Sequence, residues 1–416
     1  MTTSHTIVIG AGIVGVSTAI WLRRSGQDVT LIDRGIPGMG TSFGNAGVLA
    51  ACSVAPVTAP GLVLKGPGLL LDPNFPLFLR WSYLPRLAPW LFRYLSHAND
   101  RDTRRIARGL TTIVADSVDQ HMALTEGTDA ARWVRKCNYA FAYKDRAAFD
   151  ADAYTWGLRR EAGFVPELVE GRDVQEMEPA LGPVSQLLAV MKEHGFVLNP
   201  ADYVAELAAV FTGMGGRVVQ ATVKDFDLSG GTIRAVDTDQ GRFDCDTAVL
   251  AAGVWSKPLL AKLGLNVPME TERGYHIDYA QPTERPAFPV MVAAGKFVAS
   301  PVGNGLRCAG VVEFGGLDAG PSKAPLALLR KKVRETFPKM RAESETEWMG
   351  HRPAPSDSLP LIGEVGTSGI YTAFGHHHIG LTSGPKTGRM VADLICGRPP
   401  NYDLSPYEPK RFAKGA

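Results

Sequence analysis

The 416-residue sequence has almost no net charge, few cysteines and no long apolar run. Its 44 Lys and Arg residues nearly balance 42 Asp and Glu residues, which leaves a formal net charge of +2. This balance argues against nucleic acid as a partner, because a strongly basic surface is what attracts a polyanion. No stretch of about eighteen uncharged apolar residues occurs, so the sequence predicts no membrane-spanning helix.

The cysteines also exclude several classes of protein. The five lie far apart, at positions 52, 137, 245, 308 and 396. No pair has the spacing of a metal site or a redox motif, and an odd count gives no disulfide framework. The first residues lack the basic region and apolar core of a signal peptide. We therefore expect reduced cysteines and a cytoplasmic protein.

The stretch "TIVIGAGIVGVSTAIWLRRSGQDVTLID" (6–33) is typical of a strand, a helix and a second strand. Gly10 permits a tight turn, Gly12 has no side chain to hold a pyrophosphate away, and Gly15 allows close helix packing. The helix N-terminus offers free N–H groups to phosphates, and Asp33 follows the second strand where a carboxylate can bind ribose hydroxyls. A dinucleotide site is predicted, and a glycine-rich turn without a nucleotide is the alternative.

The remaining pattern alternates between helices and strands. Helices are predicted over 101–136, 150–178 (with breaks) and 323–337, a strand–helix–strand unit over 196–219, and several strands over 266–315. Near the C-terminus a strand, a glycine-rich loop and a closing helix around Pro385 are expected. The length predicts more than one domain.

The segment 61–97 combines aromatic and long aliphatic residues with arginines. Its aromatic residues include Trp81, Tyr83, Trp90 and Tyr94. This composition favours an interfacial helix that contacts a membrane surface or a partner. The alternative is a segment that covers the active site or packs in the core.

Four stretches together resemble one family. They are "VIGAGIVG" at the start, "VLAAGVWS" (249–256), "RGYH" (273–276), and "GHRPAPSDSLPLIG" with "GHHHIGLTSGPKTG" near the end. In these the chain resembles the FAD-dependent amine and amino-acid oxidoreductases of the D-amino-acid oxidase superfamily, and within it the bacterial D-amino-acid dehydrogenases. "TSFGNAGVLAACSVAP" (41–56) is similar to a stretch that follows the second strand in those enzymes.

The resemblance implies an α/β fold, α+β overall. A Rossmann-type FAD-binding domain (1–60, 197–262 and 350–400) is interleaved with a substrate-binding domain (61–196 and 263–349) on a largely antiparallel sheet. The start of the last helix is expected to stabilise negative charge near N1 and C2=O of reduced flavin; an ordinary loop and helix start is the alternative.

The resemblance also implies a set of FAD contacts, each of which could instead be sheet-edge packing. They are Gly10, Gly12, Ile13, Val14, Gly15, Asp33, Arg34, Thr41, Ser42, Asn45, Ala46, Gly47, Val223, Ala251, Ala252, Gly253, Gly380, Leu381 and Thr382. No cysteine lies in a motif tied to covalent attachment, so non-covalent FAD is expected.

The implied reaction needs little protein chemistry. A hydride leaves the substrate's α-carbon for flavin N5, and the resulting imine hydrolyses to a keto acid and ammonia. Arg352 is the expected anchor for the substrate carboxylate, since its planar fork suits a carboxylate. Tyr275 is the second candidate for that carboxylate, and Arg273 is interpreted as structural.

His376, His377 and His378 form the only histidine run. Three consecutive residues converge poorly on a metal and no carboxylate or cysteine pattern supports one, so no metal is predicted. At least one, with His378 as the candidate catalytic residue, is expected to line the flavin or the substrate. The family has smaller residues there, so the sequence departs from its pattern.

The main hypothesis is therefore oxidative deamination of an amino acid, most directly a D-amino acid, with electrons passed to a quinone or another acceptor. One alternative is a cyclic or N-substituted amino acid of the hydroxyproline or sarcosine type. The other is a flavoprotein subunit of a multi-subunit amine dehydrogenase.

Overall fold

A computed structural model describes residues 4–63, 68, 72 and 74–413 of the chain. Its strands are β1 His5–Ile9, β2 Asp28–Asp33, β3 Val48–Leu49, β4 Leu77–Leu79, β5 Val134–Tyr143, β6 Glu167–Glu170, β7 Leu187–Val197, β8 Arg217–Gln220, β9 Val223–Ser229, β10 Thr232–Thr238, β11 Gly241–Asp244, β12 Thr247–Leu250, β13 Met269–Ala280, β14 Val290–Val292, β15 Phe297–Ser300, β16 Leu306–Phe314, β17 Ser344–Pro355, β18 Leu361–Glu364 and β19 Ile370–Phe374.

The α-helices in the described residues are α1 Ile13–Arg24, α2 Leu84–Ser96, α3 Asp100–Val114, α4 Ser117–Thr125, α5 Arg146–Asp150, α6 Ala153–Glu161, α7 Arg172–Met177, α8 Pro200–Gly213, α9 Ser256–Lys262, α10 Lys323–Thr336 and α11 Gly380–Ile395. Short 3-10 helices span Trp81–Tyr83, Asp129–Trp133, Gly253–Trp255, Ser405–Tyr407 and Pro409–Phe412.

The first sheet has the strand order β18-β19-β12-β1-β2-β8. Its neighbouring strands are parallel, except for the antiparallel pair β18 and β19. Its apolar strands are buried, as expected for a parallel sheet covered on its faces. The Rossmann-type βαβ unit predicted over 6–33 is confirmed.

Two close approaches fix the start of α1. Gly10 has φ +109°, a conformation that favours glycine, and a Cβ there would lie 2.6 Å from the carbonyl oxygen of Ala251. A Cβ on Gly15 would lie 1.8 Å from the carbonyl oxygen of Gly10. Side chains at Gly10 and Gly15 would clash with the neighbouring backbone. The glycine spacing therefore allows the tight turn from β1 into α1.

Helices α1 and α11 cross in direct contact. A Cβ on Gly388 would lie 2.6 Å from the backbone nitrogen of Thr18, and one on Gly384 would lie 2.9 Å from Cγ1 of Ile13. The two helices follow β1 and β19, which run in the same direction in one sheet. Both helix N-termini therefore open at the carboxyl edge of that sheet, where open α/β sheets bind ligands.

The second sheet has the order β17-β13-β16-β15-β14-β5-β7-β3, with β4 paired to β16 and β6 paired to β7. Only the pairs β14–β5 and β16–β4 are parallel, so the predicted largely antiparallel sheet is confirmed. A third sheet, β11-β10-β9, consists of antiparallel strands joined by tight turns.

Some predicted boundaries were wrong. Helical structure predicted to 136 ends at the 3-10 helix Asp129–Trp133, and β5 begins at Val134. The region 150–178 contains the strand β6 because Glu167–Glu170 pairs with β7, a contact that local sequence does not reveal. The last helix starts at Gly380, so Pro385 and the small residues before it lie inside α11.

The aromatic segment 61–97 is divided between core and surface. Trp90 and Tyr94 of α2 are buried, and the indole N–H of Trp90 donates to the carbonyl of Ala354. Phe92 and Trp81 are 76% and 59% exposed. Trp90 and Tyr94 therefore follow the alternative of core packing, because the composition of the segment does not distinguish a core from a membrane. Residues 64–67, 69–71 and 73 lie outside the described residues.

None of the helices in the described ranges combines the length and the apolar character needed to cross a bilayer.

Candidate functional site

A cavity of about 540 Å³ lies at the carboxyl edge of the first sheet, and we call it the glycine-lined cavity. It runs from 221–224 and the turn 251–253 past the start of α1 to the start of α11. Most residues predicted to contact FAD line it: Gly10, Gly12, Ile13, Val14, Asp33, Arg34, Thr41, Ser42, Asn45, Val223, Ala251, Ala252, Gly253, Gly380 and Leu381. The structure thus brings together residues from four distant segments of the chain.

Four predicted residues lie elsewhere. Ala46 and Thr382 line the neighbouring second cavity. Gly15 packs against the turn at Gly10, and a Cβ on Gly47 would lie 2.6 Å from the carbonyl oxygen of Val197. Gly15 and Gly47 therefore shape the backbone around the cavities.

The start of α1 has the features of an anion-binding site. Gly12 is the N-cap and offers no capping side chain, while Ser42 Oγ accepts the N–H of Ile13 at 3.0 Å. A Cβ on Gly12 would approach only Ser42 Oγ, at 3.3 Å, and would otherwise point into the cavity. Asp33 accepts the N–H of Ala11 at 2.6 Å, which places its carboxylate on the cavity wall. A phosphate can bind at this dipole end, with a ribose beside Asp33.

The start of α11 is the second helix N-terminus on this cavity. Its N-cap, Ile379, makes no side-chain cap, and Gly380 and Leu381 face the cavity. His121 holds this turn because its Nε2 lies 2.8 Å from the carbonyl oxygen of Leu381 and its Nδ1 lies 2.8 Å from the hydroxyl of Tyr203. Burial lowers the pKa of His121 to about 4, so the ring stays neutral.

These features fit FAD. The volume lies in the range of about 300–1,000 Å³ found for ligand pockets. The helix N-terminus at α1 suits a pyrophosphate, and the one at α11 suits the flavin end, where reduction brings negative charge. Arg34 stacks over Trp255 at 3.9 Å from the ring centroid, and both line the same cavity.

A second cavity of about 140 Å³ adjoins the first, and we call it the side-chain-lined cavity. The two share Thr41, Asn45 and His377. The other residues that line the second cavity are not shared with the first. They are Gly44, Ala46, Val48, Ala50, Ser53, Tyr139, Gly274, Val298, Ala309, Trp348, Gly350, Arg352, His378, Ile379 and Thr382.

Trp348 limits the size of this cavity. Its indole lies across Gly44 and Gly350, where a Cβ would come within 1.8 Å and 1.9 Å of the ring. The ring stacks on His276 with a centroid distance of 5.1 Å and an interplanar angle of 17°. Burial, together with the charge of Arg307, lowers the pKa of His276 to about 4. The Trp348 indole therefore packs against Gly44 and Gly350 and stacks on the neutral imidazole of His276.

Arg352 is the cation of the side-chain-lined cavity. It lies on β17 opposite Glu272 of β13, and its Cζ is 2.4 Å from the place where Gly274 would carry a Cβ. The Arg352 side chain is partly buried, and desolvation lowers its pKa while Glu272 opposes the effect. Within the described ranges no group forms a hydrogen bond with this guanidinium. Its donors are thus available to a ligand in the cavity.

The three histidines of the run face different places. His376 lines the glycine-lined cavity, and its Nε2 lies 3.0 Å from Thr387 Oγ1. Burial and the neighbouring His377 lower the pKa of His376 to about 3. His378 is an exposed residue on the wall of the side-chain-lined cavity, and desolvation of its ring together with the charge of Arg352 lowers its pKa. His377 lines both cavities. No cluster of three or more metal-ligating side chains occurs in the residues that the structure describes.

Tyr275 does not lie on either cavity. Its hydroxyl donates to Glu313 Oε2 at 2.5 Å and accepts the N–H of Ser322 at 3.1 Å. Arg273 forms an ion pair with the same Glu313 at 2.9 Å. Side chains alternate along a strand, and because Gly274 faces Arg352, its neighbours on β13 point to the opposite face. The structure therefore does not bring Tyr275 together with Arg352, and that expectation is corrected.

Three contributors to the site were not anticipated. Tyr139 lies on β5, which was not predicted as a strand, and Trp348 precedes the quoted C-terminal motif by two residues. Glu272 precedes "RGYH" and pairs with Arg352 across the sheet. The alternation in "METERGYHIDYA" would have separated the face of Glu272 and Gly274 from that of Tyr275.

Comparisons with known proteins agree with this geometry. The DAO family, described as FAD dependent oxidoreductase, matches residues 5–394. The chain is 39% identical over 416 residues to the D-amino-acid oxidase of Bradyrhizobium diazoefficiens, covering 98% of this chain and 99% of that protein. It is 28% identical to the D-amino acid dehydrogenase of Rhizobium rhizogenes, covering 97% and 99%.

Solved structures show the same fold. Glycine oxidase from Geobacillus kaustophilus superposes with a TM-score of 0.73 at 21% identity, covering 100% of both chains. L-proline dehydrogenase from P. horikoshii superposes with a TM-score of 0.74 at 20% identity, covering 99% of this chain and 98% of that chain.

Proposed function

The chain belongs to the DAO family of FAD-dependent oxidoreductases, and from this premise we propose that it oxidatively deaminates an amino acid, with a D-amino acid as the first candidate. Relatives named D-amino-acid oxidase and D-amino acid dehydrogenase support the choice of substrate. Bound FAD would accept a hydride from the substrate's α-carbon. The imine product hydrolyses to a keto acid and ammonia.

One observation carries this proposal: the Arg352 guanidinium faces the side-chain-lined cavity with no hydrogen-bond partner in the described part of the chain. A guanidinium with no partner in the protein can donate two of its N–H groups to a carboxylate at once. Every α-amino acid has that carboxylate. The cavity that holds Arg352 shares Thr41 and Asn45 with the glycine-lined cavity, so a substrate anchored there would adjoin the bound FAD.

His378 is the candidate catalytic residue beside Arg352. A neutral ring nitrogen of His378 can accept a hydrogen bond from the substrate amine. The amine must lose its extra proton to solvent before the α-carbon can release a hydride. We propose that His378 then orients the neutral amine while Arg352 holds the carboxylate.

We propose that FAD is held without a covalent bond. In the described residues no cysteine lines either cavity, and all five thiols are free. Gly12 and Ile13 would meet the pyrophosphate, Asp33 the ribose, and the start of α11 the flavin. Acid or heat should release the yellow chromophore as FAD.

The proposed division into an FAD-binding domain (1–60, 197–262 and 350–400) and a substrate-binding domain (61–196 and 263–349) is supported by the two large sheets, whose strands alternate along the chain. Free, widely spaced cysteines favour the cytoplasm. A peripheral membrane contact remains a proposal, and the exposed Phe92 and Trp81 would carry it.

A substrate panel tests the proposed function. D- and L-amino acids, glycine, sarcosine and hydroxyproline are each assayed with a dye acceptor and, in parallel, in an oxygen electrode. Turnover of one amino-acid class supports the proposal and identifies the acceptor type. Turnover of sarcosine or hydroxyproline alone favours the cyclic or N-substituted alternative. No turnover, with a larger complex on size-exclusion chromatography of the native protein, favours a subunit of an amine dehydrogenase.

A further inference from the structure

We infer that Arg307 is a positioning residue for the proposed reaction, because it fixes the loop 41–45 at the junction where FAD and the amino acid must meet. The inference rests on the proposed function and adds to it a residue that the sequence motifs do not include. Arg307 is not among the described residues that line either cavity, so it acts on the site through the loop.

The guanidinium of Arg307 is buried and oriented by a carboxylate. Arg307 lies on β16 directly opposite Asp278 of β13, and its side chain is only 4% exposed. Its Nε donates to Asp278 Oδ1 and its Nη2 donates to Asp278 Oδ2, each at 2.8 Å. A bidentate pair of this kind fixes the plane of the guanidinium. The third nitrogen, Nη1, is thereby left to other acceptors.

Three consecutive carbonyls of the loop are held by side chains of the second sheet. Nη1 of Arg307 donates to the carbonyl of Phe43 at 2.6 Å and to the carbonyl of Asn45 at 2.9 Å. Nδ1 of His276, on β13, donates to the carbonyl of Gly44 at 3.1 Å. Buried carbonyls need such partners, and a loop has no ladder of its own to supply them. The backbone of the loop is therefore tied to the sheet at each of these three residues.

The same loop reaches both cavities. Thr41 and Asn45 line both of them. On one side, Ser42 Oγ accepts an N–H at the start of α1, where the pyrophosphate is proposed to bind. On the other side, Gly44 packs against the indole of Trp348, which limits the size of the side-chain-lined cavity. A shift of the loop would therefore move the wall of the FAD site and the wall of the substrate site together.

A small displacement of this loop has a large expected effect on the reaction. Reacting atoms must approach within about 3–3.5 Å, and a misplacement of about 1 Å by a distant change can lower a rate about a hundredfold. Arg307 is separated from the two carbonyls that it binds by 264 and 262 positions of sequence. Turn preferences within the loop cannot replace a contact of that range, so the position of the loop depends on this arginine.

Anaerobic rapid-mixing reduction of the holoenzyme tests the inference, with the best amino acid from the substrate panel at saturation. Arg307→Met keeps a long side chain and removes all four hydrogen bonds. The limiting rate of reduction per bound flavin should fall about tenfold to a hundredfold. Arg307→Lys should recover only part of this loss, since an ammonium cannot span a carboxylate and two carbonyls. An arginine that only stabilises the fold would change the yield or the flavin content and leave the rate per flavin unaltered.

Arg285→Met is the matched control. Nη1 of Arg285 also donates to two backbone carbonyls, those of Gly303 and Gly305, which are not among the described residues that line the cavities. Its rate per flavin should stay within about twofold of the wild type. Asp278 is partly exposed, so water can solvate its carboxylate in Arg307→Met, and this variant should fold. If it does not fold, Arg307→Lys gives the same two measurements with smaller changes in the same direction.

Hydrogen exchange of the backbone amides supplies a readout that needs no turnover. The N–H of Phe43 donates to the carbonyl of Gly40, and the N–H of Asn45 donates to that of Ser42. In Arg307→Met a peptide that covers 41–47 should exchange at least about tenfold faster, with no such change in the rest of the chain. In Arg285→Met the same peptide should exchange as in the wild type.

The outcomes separate the inference from the proposed function. An unchanged rate per flavin in Arg307→Met, or exchange at 41–47 that rises no more than elsewhere, would overturn the role of Arg307 and leave the proposed function intact. A wild-type protein that binds no FAD, or whose flavin no amino acid reduces, would instead contradict the proposed function. The exchange rates would then still decide whether Arg307 holds the loop.

Discussion

The two cavities are built in different ways. The glycine-lined cavity includes two helix N-termini, tight turns and several glycines, beside side chains such as Arg34 and Trp255. The side-chain-lined cavity lies beside the second sheet, with Arg352 and Trp348 projected from β17 and His378 from the turn before α11. The first can bind any ligand with the right phosphate geometry. The second selects one chemical group and one size.

This difference predicts how each cavity fails. A new side chain in a backbone-built site occupies the ligand's place and removes binding altogether. A lost side chain in the other site removes one interaction and leaves the remaining wall intact. The four predictions below test this contrast, from complete loss to a gradual change.

Gly12→Val should give folded protein without FAD. The new side chain would approach only Ser42 Oγ within the protein and would occupy the space for the pyrophosphate. The ratio of flavin to protein absorbance measures this, and circular dichroism checks the fold. Gly157→Val is the matched control, because its Cβ meets nothing within 4 Å. Full flavin content in Gly12→Val would refute the FAD site.

Arg352→Ala should keep its FAD and lose activity. Truncating one partner of a desolvated charge pair costs about 2–5 kcal/mol. This corresponds to a loss of roughly thirty-fold to several thousand-fold in kcat/KM on the best substrate. Arg352→Lys should recover only part of the loss, since an ammonium cannot reproduce the planar fork. Near-normal kcat/KM in Arg352→Ala would place the anchor elsewhere.

Trp348→Leu should shift the preference towards larger substrates. The indole closes the cavity over Gly44 and Gly350, and a smaller side chain extends a space of about 140 Å³. The ratio of kcat/KM for a large over a small side chain should rise about tenfold or more, the scale of hydrophobic size discrimination. Trp81→Ala, at an exposed position, is the control. An unchanged ratio would mean that Trp348 does not contact the substrate side chain.

Acid should lower the free energy of unfolding through His121 and His276, the buried histidines that pack beside the two cavities. Burial lowers the pKa values of His121 and His276 to about 4, from an ordinary value of 6.5. Between these values the unfolded chain binds protons that the folded protein does not, so stability falls as the pH decreases from about 6.5 to about 4. Each histidine contributes up to about 1.4 kcal/mol per pH unit to the free energy of unfolding.

Urea unfolding at several pH values measures this slope. His276→Asn should reduce the slope relative to the wild type, whereas His5→Asn is the control at a less buried position. The same slope in His276→Asn and the wild type would show that His276 does not titrate with unfolding.

The contrast between the cavities also explains what could be predicted from sequence. The glycine-lined cavity depends on short local patterns, so Gly10, Gly12 and Asp33 could be placed before any coordinates. The side-chain-lined cavity depends on strand register. At "RGYH" a difference of one residue decides whether Gly274 or Tyr275 faces Arg352, and no local pattern fixed that register.

Long-range pairing limited the prediction elsewhere too. Tyr139 belongs to the site because β5 lies beside β14, which is about 150 residues away along the chain. The composition of 61–97 left membrane contact and core packing open, and only the fold shows that the Trp90 indole donates to the carbonyl of Ala354.

The first sheet also constrains the order of events during synthesis. β1 and α1 emerge early from the ribosome, whereas β19 and α11 are among the last elements translated. At about 5–20 residues per second, the early unit waits on the order of tens of seconds for its final neighbours. During that time the face of α1 that later contacts Gly384 and Gly388 has no helix to pack against. Cofactor loading therefore follows translation, and a nascent chain that stalls before Gly380 stays empty.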